Sequence, residues 1–172
     1  SFELMAQSSK DASRAREACH VLAVAAGARG MVGGQGLDLQ AEGRRSSPRA
    51  LRRIHAGKTG ALITASLECG AILAGADAKK RTALRRFGDH IGLAFQVADD
   101  ILNVEGDQAK LGKKTGSDLA KAKTTYPGVF GLEKSKKIAK KELENALRCL
   151  KPFGKKAEPL ARLARFVVER DH

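Results

Sequence analysis

The stretch from Ile91 to Val104 constrains this chain most. Only four of its side chains are polar: Gln96, Asp99, Asp100 and Asn103. They stand at i, i+3, i+4 and i+7, which is one face of an α-helix. The other positions are Ile, Leu, Ala, Phe, Val and Gly. A helix this apolar around most of its circumference is buried nearly all round, with one polar stripe. Buried carboxylates are costly unless paired or metal-bound, and adjacent acids repel each other. The stripe therefore calls for a divalent cation or a set of lysines opposite it. Its donors are oxygens with no Cys or His beside them, which suits a hard ion such as Mg²⁺. The competing assignment is a solvent-exposed helix edge.

The remaining segments share the helical period. Ser8, Ser9 and Asp11 offer N-cap chemistry before a helix at 12–26. Five glycines fall between Gly27 and Gly36. They leave a loop or a helix open there, and a helix whose glycines admit a close neighbour is preferred. Ser47-Pro48 starts a helix running to about Leu73, and another spans Ala78 to about Val104. Gly106 to Tyr126 has no apolar face and reads as a loop. Pro127 opens a short helical stretch. Glu133 to Leu150 is amphipathic, with Ile138, Leu143, Leu147 and Leu150 on one side. A last helix covers 159–169. The expectation is a single all-α domain over 1–172. With 4% aromatic residues and no β-type alternation, a sandwich or barrel is excluded.

The net charge is +13, concentrated late: residues 1–105 carry +4 and 106–172 carry +9. Such an excess suits phosphate-rich partners or a solvated surface. A nucleic-acid binder would offer stacking aromatics, which are scarce here. The three cysteines lie far apart without metal spacing, and imply reduced thiols in a cytoplasmic protein. The longest apolar run, Val21 to Ala26, is far too short to span a membrane, and no leader is visible at Ser1.

Two further stripes are candidates. His55, Lys58 and Thr59 stand at i, i+3 and i+4 at the entry to an apolar run. An ammonium beside a hydroxyl suits an anion, although a Lys lying along its helix is the commoner case. Gln35, Asp38 and Glu42 follow the glycines and either reach a shared cavity or decorate an ordinary helix. The Gly112–Asp118 stretch, with Lys113, Lys114, Lys121 and Lys123, supplies ammonium groups after the acidic stripe. It lacks the nucleotide-loop pattern and a preceding strand. Beside bound Mg²⁺ these lysines suit a diphosphate.

These words, in this order, resemble one family. Phe95-Gln96-Val-Ala-Asp99-Asp100-Ile-Leu-Asn103 is similar to the second aspartate-rich motif of trans-prenyl diphosphate synthases. Gly33-Gly34-Gln35-Gly-Leu-Asp38, His55-Ala-Gly-Lys58-Thr59-Gly60, Gly112-Lys113 with Gly116-Ser-Asp118, and Lys123-Thr-Thr-Tyr126-Pro127 match its other motifs. The likeness is to the C-terminal half only, within the bacterial farnesyl diphosphate synthase group. The family's first aspartate-rich motif has no counterpart, and Asn103 stands where a third Asp is usual. The resemblance implies the C-terminal part of an isoprenoid-synthase helical bundle around a central cavity, as a homodimer. It implies Mg²⁺-dependent transfer of an allylic diphosphate's prenyl group to isopentenyl diphosphate. Asp99 and Asp100, with Asn103 and Asp118, would serve the metal. Lys58, Thr59, Gln96, Lys113 and Lys123 would contact the allylic diphosphate, with Lys58, Asp99 and Lys113 at the chemistry. Phe95 would border the isopentenyl pocket. Two rival expectations are a non-catalytic helical subunit that needs a partner and, on charge alone, a nucleic-acid binder.

Overall fold

The computed structural model describes residues 2–43, 47–111 and 125–169, the side chains of 106–111 excepted. Every element among them is helical: α1 (Phe2–Gln7), α2 (Ala12–Ala26), α3 (Met31–Ala41), α4 (Pro48–His55), α5 (Ala61–Leu73), α6 (Ala78–Leu111), α7 (Tyr126–Phe130), α8 (Leu132–Cys149) and α9 (Glu158–Glu169). A π-helical turn at Ala56–Gly60 joins α4 to α5, and a 3-10 segment at Lys151–Ala157 joins α8 to α9.

Local chemistry sets these limits. Asp11 accepts from the Ser13 and Arg14 amides and starts α2. Ser47 accepts from Ala50 N–H, with Pro48 at the first helical position of α4. Gly131, at φ 81°, ends α7 before α8 begins.

Helix α6 has 34 residues and runs down the middle of the molecule, between α5 on one side and α8 on the other. Its length is about 51 Å at the α-helical rise. One core cluster joins Phe87, Ile91 and Ala94 of α6 to Leu143, Ala146 and Leu150 of the α8 end and to Ala161 and Ala164 of α9. A second gathers Leu51, Leu93, Val97, Ile101, Tyr126 and Ala139. A third, Ala18 with Cys69 and Ile72, seals α2 onto α5. Burial pushes the Cys69 thiol up in pKa, with the Glu68 charge adding to it, and burial does the same at Cys149. Both thiols are held in their unreactive form.

Two departures from the sequence pattern matter. The helix expected to end near Val104 continues to Leu111, so Gly106–Leu111 is helical rather than loop. A lone glycine costs only about 1 kcal/mol, and Gln108, Ala109, Lys110 and Leu111 are good helix formers. Just before it, Glu105 pairs with Lys136 of α8 at 2.6 Å. The rest of the expected loop, 112–124, lies outside the described residues. The helix expected from 49 to 73 is interrupted by the π turn. Glycines explain the interruption. A Cβ on Gly34 would sit 2.2 Å from the Lys58 amide nitrogen, and one on Gly92 would sit 2.8 Å from Gly60 Cα. The π turn is thus pressed against α3 and α6 at backbone distance. Of the glycine-rich 27–36 segment, 27–30 form the turn between α2 and α3 and 31–36 open α3, so the preferred continuous helix is broken at its first glycines. Gly34, on the helical part, is where a neighbour approaches.

Candidate active site

The π turn presents Lys58 and Thr59 toward two different helices. Lys58 Nζ lies 2.6 Å from Asp38 Oδ2 of α3, with both side chains partly exposed. The Thr59 hydroxyl donates to Gln96 Oε1 of α6 at 2.8 Å. The two stripes that were ambiguous in sequence therefore meet. Asp38 steadies the ammonium of Lys58, and Gln96 fixes the hydroxyl of Thr59. Inserting a π turn into an otherwise α-helical path is a recurrent way of presenting functional side chains.

On α6 the acidic stripe divides. Asp99, Gln96 and Phe95 are half-buried and Asn103 is exposed, whereas Asp100 is only 5% exposed. The Asp100 Oδ2 accepts the Tyr126 N–H at 2.9 Å and lies 3.4 Å from His55 Nε2. The His55 ring stacks on Tyr126 with centroids 5.5 Å apart. Burial pushes the Tyr126 phenol up in pKa; Arg52 works against this, and Glu142 and Asp100 add to it. Lys113, Asp118 and Lys123 lie outside the described residues.

A polar lock escaped the sequence reading. Glu142 of α8, 7% exposed, accepts from Arg52 of α4 at 2.9 Å and sits 2.7 Å from His90 Nδ1 of α6. The lock ties α4, α6 and α8 together. Its signal was present: Glu142 falls in register with Ser135, Ala139 and Ala146, the buried row of α8. A charged residue at a core register position marks a buried partner. Arg52, His90 and Glu142 also line a cavity of about 590 Å³ whose apolar wall includes Val21, Val24 and Leu93. Lys58, Thr59, Gln96 and Asp99 are not in that lining.

Among the described residues no group of three or more His, Cys, Asp or Glu side chains is arranged to hold a metal. The stripe's chemistry nevertheless fits Mg²⁺. Asp99 offers carboxylate oxygens and Asn103 an amide oxygen one turn on, along the same edge of α6.

The all-helical bundle, with an acidic stripe on its central helix and a Lys-Thr π turn packed against it, has the isoprenoid-synthase class of fold. The FPP/GFPP synthase of Zymomonas mobilis, in its apo structure, superposes with a TM-score of 0.86 at 34% identity, over 97% of this chain and 56% of that one. A geranyltransferase from Helicobacter pylori, complexed with magnesium and isoprenyl diphosphate, gives 0.74 at 31% identity, over 98% of this chain and 54% of that one. The polyprenyl synthetase family profile matches residues 1–162, and the chain belongs to that family. The farnesyl diphosphate synthase of Escherichia coli (strain K12) is 44% identical over 154 residues, which cover 87% of this chain and 52% of that protein. The chain thus spans about half the length of the curated relatives it matches.

Proposed function

We propose that this chain is the C-terminal half of a Mg²⁺-dependent prenyltransferase of the farnesyl diphosphate synthase type. The substrates would be an allylic diphosphate, dimethylallyl or geranyl, and isopentenyl diphosphate. The observation that carries this is the apposition of Lys58, held by Asp38, and Thr59, held by Gln96, beside the acidic stripe of α6. An ammonium and a hydroxyl held in fixed positions by neighbouring side chains suit a diphosphate leaving group.

Lys58 and Thr59 bind the allylic diphosphate, and Gln96 orients Thr59. Lys113 and Lys123, assigned by resemblance, add ammonium groups. Asp99 would hold the metal, with Asn103 and Asp118 in weaker support. Mg²⁺, when bound, supplies the charge neutralisation that lets diphosphate depart. Phe95 borders the isopentenyl pocket and keeps water from the carbocation. The C–O bond of the allylic diphosphate breaks first, the electron pair leaving with diphosphate. The double bond of isopentenyl diphosphate then forms the new C–C bond to the allylic cation, and a proton leaves the condensed chain. No protein nucleophile is required.

We further propose a cytoplasmic homodimer. No helix among the described residues is long and apolar enough to cross a membrane. A second reading, a subunit that completes its site with a separate chain, draws on the half-length match. The deciding experiment is condensation of labelled isopentenyl diphosphate with geranyl diphosphate by the complete chain carrying this sequence. Farnesyl diphosphate that needs Mg²⁺, and a Lys58→Ala variant at least about tenfold slower, are expected. An active chain indifferent to Lys58 would sink the site; an inactive complete chain would favour the subunit.

A further inference from the structure

Adjacent acids in a helix point about 100° apart. Within the stripe, Gln96 and Asp100 form one i, i+4 row, and Asp99 and Asn103 form the other. The first row faces α4 and its π turn, where Thr59 meets Gln96 and His55 meets Asp100. The second row holds the half-buried Asp99 and the exposed Asn103.

The Asp100 carboxylate is committed to the fold. Helix α7 opens with three positions whose amides lack intrahelical partners. Thr125 Oγ1 accepts from Gly128 N–H at 3.2 Å, Pro127 has no N–H to satisfy, and Asp100 Oδ2 takes the Tyr126 N–H at 2.9 Å. Asp100 is therefore the group on α6 that completes the start of α7. The Tyr126 ring, 4% exposed, is clamped between His55 and Phe130, with ring centroids 5.5 Å and 5.4 Å away. His55 is itself 6% exposed, and its Nε2 approaches Asp100 at 3.4 Å without making a hydrogen bond. One carboxylate thus sits where α4, α6 and α7 converge.

We propose that the two aspartates divide the work: Asp99 faces the metal, and Asp100 is a positioning residue. Asp100 holds α7 against α6 and, through the Tyr126 ring stacked on His55, steadies the end of α4, so that Asp99, Gln96 and Thr59 keep one register. The Asp99 half of this statement rests on the function proposed above; the Asp100 half rests on the junction alone.

Two readouts separate the halves, both on the complete chain carrying this sequence. The first is hydrogen exchange resolved to the Tyr126 amide. The second is calorimetric binding of Mg²⁺ in the presence of inorganic pyrophosphate. Asp100→Ala should speed Tyr126 exchange by about tenfold or more. Asp100→Asn, whose side-chain oxygen still accepts the amide, should restore most of the protection. Asp99→Asn should leave Tyr126 protected but weaken Mg²⁺ binding by about tenfold or more. Asp100→Asn should weaken Mg²⁺ binding by no more than about threefold, and Asp100→Ala by more, through displacement of Asp99. If Asp100→Asn weakens Mg²⁺ as much as Asp99→Asn does, Asp100 is a ligand and the proposal is overturned. Unchanged Tyr126 exchange in Asp100→Ala overturns the anchor. If Asp100→Ala does not fold, the two Asn variants still decide. If neither Asn variant alters Mg²⁺ binding, the metal reading of the stripe falls, and Tyr126 exchange alone judges the anchor.

Discussion

At the residue scale, charge and burial separate side chains that look alike in sequence. Asp99 carries a charge on the half-buried edge of α6, whereas Asn103 is neutral and exposed. Removing Asp99 takes away a contact that strengthens as the diphosphate departs, so turnover should fall. Asp99→Ala in the complete chain is expected to cost about a hundredfold in rate, or roughly 3 kcal/mol. Asn103→Ala should cost much less, and Asn103→Asp should hold or raise activity. Kinetics across a Mg²⁺ titration check this, and identical Mg²⁺ curves for wild type and Asp99→Ala would remove the stripe from the mechanism. Tyr126 gives a prediction of another kind. Burial raises its phenol above the ordinary value of 10.0, so the folded state keeps its proton longer than the unfolded state does. Stability from the neutral phenol is complete below the unfolded pKa and is lost as pH rises through the folded one. Thermal melts of wild type and Tyr126→Phe should therefore differ by a constant up to about pH 10 and diverge above it, with wild type losing ground. A difference that stays flat to the alkaline limit would mean the phenol is not held neutral by the fold.

At the element scale, the π turn is built on missing side chains. Gly34 and Gly36 lie on the same helix in opposite situations. A Cβ at Gly34 meets the Lys58 amide at 2.2 Å and Gly57 carbonyl carbon at 2.6 Å, all backbone that cannot rotate away, while one at Gly36 meets nothing within 4 Å. Gly34→Ala should destabilise by about 1–3 kcal/mol or more through overpacking. Gly36→Ala should stabilise by about 0.5–1 kcal/mol by reducing the freedom of the unfolded chain. Urea unfolding of the pair provides the comparison, and equal midpoints would show that α3 and the turn are not locked at backbone distance. The same elements show what the sequence could tell. Helical periodicity located α2, α6, α8 and α9 and merged α4 with α5, because amphipathic burial repeats at the helical period wherever a helix meets a core. The π turn left no trace in that periodicity, since it adds a single residue, and only its glycines hinted at a close crossing. Continuation of α6 to Leu111 was hidden because a polar helical end carries no apolar stripe. Asp99 and Asp100 were legible as a pair, but their division was not: it depends on which side α7 docks, a contact between residues 26 apart in sequence.

At the scale of the whole molecule, the described surface is that of a bundle with faces left open. Leu4 is 72% exposed, Val32 56%, Leu39 57% and Phe166 67%. The first of these belongs to α1, which packs on α2, and the next two to α3, which meets the Lys58 turn, and exposed apolar side chains of this size call for cover. The chemistry is equally one-sided. On the function proposed above, ionising an allylic diphosphate leaves a diphosphate whose charge must be met from more than one direction, and this chain would contribute one acidic stripe with its lysines. The relatives it matches are about twice as long, and the resemblance puts their other aspartate-rich motif in the part this chain does not match. The 172-residue chain by itself is therefore expected to bind Mg²⁺ and pyrophosphate weakly and to elongate no measurable prenyl chain. It should also self-associate at high concentration through the α1 and α3 faces. On the function proposed above, the complete chain should condense the two diphosphates. Radiolabelled isopentenyl diphosphate supplied with dimethylallyl diphosphate to each preparation, with sedimentation in parallel, makes the comparison. Sustained chain elongation by the 172-residue protein alone would show that one stripe suffices to expel diphosphate. The two-sided account of the site would then have to be abandoned.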